Sequence, residues 1–182
     1  MDNNLVQYNK VLFDENDIRR AIARLSHEII ESNQGINDLI LLGIRTRGEH
    51  IAKRISNSIN LFENTNIESF NIDIKNFRDD LKNTKRISEL FIDATVHEKN
   101  LVLVDDVLYT GRTIRASLEA IFSLGRPKSI KLAALVDRGH REVPIRPDFV
   151  GKNIPTSNTE RIKVFMKEED GIDKIELIRE KR

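Results

Sequence analysis

Thirteen residues, Leu101-Val-Leu-Val-Asp-Asp-Val-Leu-Tyr-Thr-Gly-Arg-Thr113, concentrate more chemistry than any other part of the chain. Asp105 and Asp106 are adjacent carboxylates placed to accept hydrogen bonds from the vicinal hydroxyls of a sugar, or to hold Mg²⁺ through oxygen ligands. Thr110, Gly111, Arg112 and Thr113 follow with small side chains, hydroxyls and a run of backbone N–H groups opening a helix, a setting that favours phosphate through hydrogen bonds and the helix dipole. Either half alone would only end a strand or cap a helix. Together they suit a ribose 5-phosphate. The loop G-x-x-x-x-G-K-[ST] and the fingerprint G-x-G-x-x-G occur nowhere in the chain, which disfavours an ordinary nucleotide fold.

This stretch resembles the phosphoribosyl-pyrophosphate (PRPP) binding motif of type I phosphoribosyltransferases. A second loop, Arg45-Thr-Arg-Gly48, also follows a strand and opens a helix; Arg45, Thr46 and Arg47 are suited to gripping a diphosphate, because a guanidinium contacts phosphate in two places at once. A third segment, from Phe77 to Arg86, is highly charged without apolar period and reads as a lid whose Arg78 and Lys82 close over PRPP while pyrophosphate leaves. A fourth, Asp137-Arg138-Gly139-His140-Arg141, ends another strand, and there Asp137 and Arg138 with neighbouring backbone groups form a wall for the base. His97 and His140 read as surface residues. His27-Glu-Ile-Ile-Glu31 lacks the second histidine that a zinc helix requires.

The elements that must position these loops follow from periodicity. Leu101 to Val104 is a continuous aliphatic run, as expected of a central parallel strand covered on both faces, and Ile114 to Phe122 has helical spacing. In open α/β sheets ligands bind at the carboxyl ends of such strands. Asp38 to Ile44 is the next strand, with a helix from about Glu49 to Asn60; Ile67 to Ile74, Ser129 to Val136, Ile162 to Met166 and Ile172 to Ile178 are further strands. Lys10 to Phe13 is a lead-in, and the proline-bearing stretch Glu142 to Ser157 reads as extended excursions. Asp14 caps a first helix that ends at Gly35 and buries Ile18, Ile22, Leu25 and Ile29. Its opposite face carries Arg20, Arg24 and His27 at spacings of 4 and 3, a row that is either solvated or a contact surface.

Composition bounds the rest. A chain of 182 residues, 39% hydrophobic, suits one globular domain spanning residues 1–182, and 30 basic against 29 acidic side chains leave a net charge of +1, so any basic patch is local. Without cysteine there is no disulfide framework or thiolate chemistry. No basic-then-apolar leader or membrane-length run appears, so a cytoplasmic location is expected.

Gly43-Ile-Arg-Thr-Arg-Gly48, Phe77-Arg-Asp-Asp80, Val104 to Thr113, Val136 to Arg141 and Val150-Gly-Lys-Asn-Ile-Pro-Thr-Ser157 together resemble the PyrR family of bifunctional pyrimidine-operon attenuators and uracil phosphoribosyltransferases, over nearly the whole chain. The resemblance implies a type I phosphoribosyltransferase fold, α/β, with a mostly parallel twisted sheet flanked by helices, a small hood and a mobile loop. It also implies conversion of uracil and PRPP to UMP and pyrophosphate with Mg²⁺, uridine-nucleotide-responsive binding of pyr leader mRNA, and a homodimer. Carried over by position, Asp105, Asp106 and Arg78 serve catalysis, with Mg²⁺ held by substrate and by Asp105 and Asp106. Arg45 to Arg47 and Asp105 to Thr113, including Val107, Leu108 and Tyr109, bind PRPP or nucleotide. Arg20, Arg24, His27, Arg141, Arg146 and Lys152 face RNA, to which UMP or UTP would be linked. Where 6-oxopurine phosphoribosyltransferases carry an acid for the purine N7 proton, this chain has Tyr109, whose phenol stays protonated at neutral pH, so uracil is the expected base. Two departures stand out: threonine is usual in the family where this chain has Ala23, and the segment after Arg78 is shorter.

Overall fold

The computed structural model describes residues 7–74 and 96–180. Arg78, Lys82 and the rest of the expected lid lie outside the described residues. The elements run β1 (Gln7–Phe13), α1 (Glu15–Asn33), β2 (Leu39–Ile44), α2 (Arg47–Glu63), β3 (Ser69–Ile72), β4 (Asn100–Leu108), α3 (Arg112–Leu124), β5 (Ser129–Asp137), β6 (Phe149–Asn153), β7 (Glu160–Phe165), α4 (Lys167–Asp170) and β8 (Lys174–Glu180).

Five strands form a parallel sheet in the order β3-β2-β4-β5-β6. Because side chains alternate across a strand, Val102 and Val104 of β4 join one core with Ile18, Leu25, Ile51 and Ile55 of α1 and α2. Leu101 and Leu103 join another with Ile114 and Ala120 of α3. Burial on both faces is what a continuous aliphatic strand requires; truncating the fully buried Leu103 to alanine costs about 2–5 kcal/mol. The parallel β2–β4 register, Leu39↔Asn100 through Gly43↔Val104, places both phosphate loops at the same end of the sheet, as their strand-loop-helix order predicts. α1 begins as expected, with Asp14 and Asp17 forming a reciprocal capping box, but it ends at Asn33 because Gln34 takes the left-handed conformation one residue before Gly35.

Tertiary pairing changes several sequence boundaries. The lead-in is a strand, β1, which pairs antiparallel with β8, and β8 pairs with β7, so the terminal strands form a separate three-stranded hood. The central strand runs on to Leu108, because Asp105 pairs with Ala134 and Leu108 with Asp137. Glu142 to Ser157 is not wholly irregular: Phe149–Asn153 is an edge strand beside β5, with Phe149 buried and Pro147 and Pro155 outside the paired residues. α2 begins at Arg47 and reaches Glu63.

Candidate active site

Close backbone approach assembles the site. A Cβ on Gly48 would lie 2.5 Å from the Val104 carbonyl oxygen and 3.3 Å from the Asp105 Cα, so only glycine lets the start of α2 press against β4 where the carboxylates stand. The loop Arg45-Thr-Arg-Gly48 is thereby brought beside Asp105. A cleft of about 490 Å³ opens there, lined by Arg45 and Thr46 of that loop, by Thr113 of the second, and by Glu49, Asp73, Ile74 and Glu169. Sequence reading missed Glu49, in the first turn of α2, and Glu169, which reaches the cleft from the turn between β7 and β8.

Asp105 is buried and Asp106 half-buried. Burial raises the Asp105 carboxyl well above the ordinary range, and the Asp106 charge adds to this. Burial also raises Asp106, opposed by the Val107 N–H and by the Arg47 guanidinium. The Asp106 N–H donates to Asp105 Oδ1 at 3.0 Å and the Val107 N–H to Asp106 Oδ1 at 2.8 Å, leaving acceptor capacity on each carboxylate. Two desolvated adjacent carboxylates fit a hard cation with oxygen ligands, or hydroxyl donors, because either would stabilise charges that burial disfavours.

Beyond them the loop turns at Gly111, with φ +87°, and the Thr110 hydroxyl accepts from the Arg112 N–H at 3.3 Å as α3 begins. The base-wall segment folds directly over this loop. Leu108 O accepts from the Arg138 N–H and Thr110 O from the N–H groups of Glu142 and Val143. Arg112 Nε meets Glu142 Oε2 at 2.5 Å, an ion pair that sequence spacing did not indicate.

Two of the arginines in the base-wall segment are held by partners within the protein that sequence reading did not anticipate. The Arg138 guanidinium is buried 3.9 Å from the centroid of the Tyr109 ring and donates to Thr156 Oγ1 and Glu160 O, so it braces the tyrosine. Arg141 does not project to an outer face: it donates to the carbonyls of Leu108, Tyr109, Gly139 and Ile145 and pairs with Asp137 at 2.7 Å. Asp137 also accepts from the Gly139 N–H.

The remaining basic residues of the expected RNA face are solvent-exposed. Arg20, Arg24 and His27 are exposed on α1, and Arg146 and Lys152 are exposed beyond the base wall. Arg24 Nη2 donates to Val150 O at 2.9 Å and Gly151 O at 2.5 Å, which brings the α1 row to the strand carrying Lys152. His27 stacks on Phe62, with centroids 4.0 Å apart. Half-buried Ala23 lines a separate groove between α1 and α2. No helix among the described residues is long and apolar enough to cross a membrane.

Comparison with known proteins agrees with this geometry. Bifunctional protein PyrR of Clostridioides difficile is 56% identical over 167 residues, covering 90% of this chain and 94% of that protein. Its counterpart in Staphylococcus carnosus is 53% identical over 165 residues, covering 89% and 94%. Among solved structures, the hypoxanthine phosphoribosyltransferase of Trypanosoma cruzi superposes with a TM-score of 0.70 at 19% identity, covering 94% of this chain and 97% of that one, a likeness of fold. Residues 9–169 match the phosphoribosyl transferase domain family, and with the two relatives this shows that the chain belongs to the phosphoribosyltransferases and, among them, to the PyrR family.

Proposed function

We propose that the chain acts as one phosphoribosyltransferase domain, residues 1–182, in a cytoplasmic homodimer that converts uracil and PRPP to UMP and pyrophosphate and also binds pyr leader mRNA in response to UMP or UTP. The observation that carries the enzymatic half is the close approach of α2 to β4 at Gly48, which sets the Arg45–Arg47 loop beside Asp105, with Arg45, Thr46 and Thr113 lining one cleft. In this reading the backbone N–H groups and hydroxyls of residues 110–113 bind the 5-phosphate, Asp105 and Asp106 accept the ribose hydroxyls, and Arg45, Thr46 and Arg47 orient the diphosphate. Asp105 and Asp106 would hold Mg²⁺ together with PRPP, and the ion would neutralise charge on the departing diphosphate. The bond from ribose C1 to the diphosphate oxygen breaks, uracil N1 bonds to C1, and the N1 proton is released. Uracil lies against Tyr109 and the Asp137–Arg138 backbone, with Arg138 holding the tyrosine ring in place. Arg78, which lies outside the described residues, is assigned to catalysis in this reading.

The regulatory half draws on family membership and on the stitching between loop and base wall. Three successive carbonyls, those of Leu108, Tyr109 and Thr110, accept hydrogen bonds from residues 138–143. A nucleotide that moves the loop therefore acts on the segment leading to Arg146, a physical route for linkage. Arg20, Arg24, His27, Arg146 and Lys152 contact RNA in this reading, and Arg141 supports them from within. A salvage enzyme without RNA binding is the alternative, favoured by alanine at position 23 beside the basic row. Turnover with PRPP, Mg²⁺ and each base, run beside titration of a pyr leader with and without UMP, tests both halves. Faster pyrophosphate release with hypoxanthine, guanine or orotate than with uracil would overturn the substrate assignment.

A further inference from the structure

The hood meets the active site along one face of α2. Arg47, His50 and Arg54 recur at spacings of 3 and 4, and each meets a carboxylate of the turn between β7 and β8. Arg54 makes four hydrogen bonds, two to Glu168 and two to Asp173, whose side chain is only 5% exposed. Burial works against the Arg54 charge, but the Asp173 and Glu168 carboxylates more than offset it. Asp173 also accepts from the Lys167 N–H at 2.7 Å. This pair rivets the hood to α2.

The pair at the open end is built differently. Arg47 Nε and Nη2 donate to Asp170 Oδ2 and Oδ1 at 3.2 and 2.9 Å. Asp170 is itself held by the Met166 N–H at 2.9 Å, so it cannot follow the guanidinium should that swing away. The grip engages one edge of a five-donor group and leaves the Nη1 edge without a bond to Asp170. Arg47 directly follows Thr46, which lines the cleft together with Glu169, and its charge is stabilised by Asp170 first and then, at longer range, by Asp106 and Glu169.

We propose that Asp170, a hood residue outside the substrate loops, is a positioning residue for PRPP: it presets the Arg47 guanidinium so that its remaining donors meet the diphosphate without reorganisation. The proposal rests on the reading of residues 45–47 as the diphosphate loop. Preorganisation of this kind acts on binding of the group that Arg47 touches, so PRPP should feel its loss and uracil should not. Asp170→Asn keeps the shape and an acceptor for Met166 but removes the charge that orients Arg47. In steady-state kinetics at saturating Mg²⁺ it should raise the PRPP KM roughly tenfold, the scale of one misplaced charge-assisted bond, with kcat within about twofold and the uracil KM unmoved. Arg47→Ala should raise the PRPP KM at least as much, and adding Asp170→Asn to it should change nothing further. Should Asp170→Asn not give folded protein, Asp170→Glu carries the same test, with the PRPP KM raised and the uracil KM unmoved. An unchanged PRPP KM in Asp170→Asn when Arg47→Ala raises it, or additive effects in the double variant, would overturn the proposal alone. A parallel loss of kcat and both KM values would assign Asp170 a merely structural role and also overturn it. An unchanged PRPP KM in Arg47→Ala would instead bring down the diphosphate-loop reading, and the proposal with it.

Discussion

Asp105→Asn should make the free protein more stable and the enzyme much worse. Asp105 is 7% exposed, its carboxyl accepts one backbone N–H, and it lies beside a second carboxylate that feels the charge of Arg47, a guanidinium already bonded to Asp170. Burial and the Asp106 charge therefore raise Asp105, so the folded state binds its proton more tightly than the unfolded chain does. For a carboxyl raised in this way the penalty is fully present above the folded value. It shrinks as pH falls towards the ordinary value of 3.8 and is absent below it. Asparagine occupies the same volume, keeps an acceptor for the Asp106 N–H and carries no charge. At pH 7.5 the variant should melt above wild type, by roughly 2–4 °C for each kcal/mol gained in a chain of this size. The gain over wild type should fade in the acid range. Activity should move the other way: losing one charge-assisted acceptor for a ribose hydroxyl costs about 1.5–3 kcal/mol, roughly a 10- to 100-fold fall in kcat/KM for PRPP. Thermal melts of the ligand-free protein between pH 4 and 8, paired with initial rates at limiting PRPP, measure both. A variant no more stable than wild type at pH 7.5, or one with unaltered PRPP kinetics, would refute the account of the carboxylate pair.

Gly48→Ala should lower both stability and PRPP affinity, because its Cβ would meet backbone of β4 at 2.5 Å and push the start of α2 away; denaturant melts and the PRPP KM report the two effects. Arg146→Ala, at an exposed cation, should leave transferase activity intact while reducing the slope of log K against log salt for pyr leader RNA by about 1, read from binding at several salt concentrations. Arg141→Ala should behave otherwise, lowering transferase activity as well as RNA binding, since its guanidinium holds the carbonyls of residues 108 and 109; normal turnover in this variant would contradict that role.

Much of the site was legible in the sequence because the signals are local. A strand ending in paired aspartates and running through a small polar turn into a helix needs only adjacent residues to be recognised, and Asp105 to Thr113 stands where that pattern puts it. The same holds for the Asp14 cap and for the apolar stripe of α1, whose members are all buried. The aliphatic runs implied parallel strands, and parallel strands joined by helices place their following loops at one sheet end.

What failed to appear in the sequence depends on partners distant along the chain. β1 and β6 lack a strong period; they are strands because β8 and β5 supply hydrogen-bonding edges that no local window contains. The cationic residues make the same point. By itself the sequence determined which of them exist and that α1 would present Arg20, Arg24 and His27 outward, since helical geometry fixes a face without reference to anything else. Only the tertiary structure decided what each does: Arg141 turns into the carbonyls of residues 108 and 109, Arg138 lies on Tyr109, and Arg47 is held by Asp170, 123 positions away. A guanidinium takes its role from whichever acceptors the fold brings within hydrogen-bond reach, and those acceptors come from segments distant along the chain that meet only in the folded molecule.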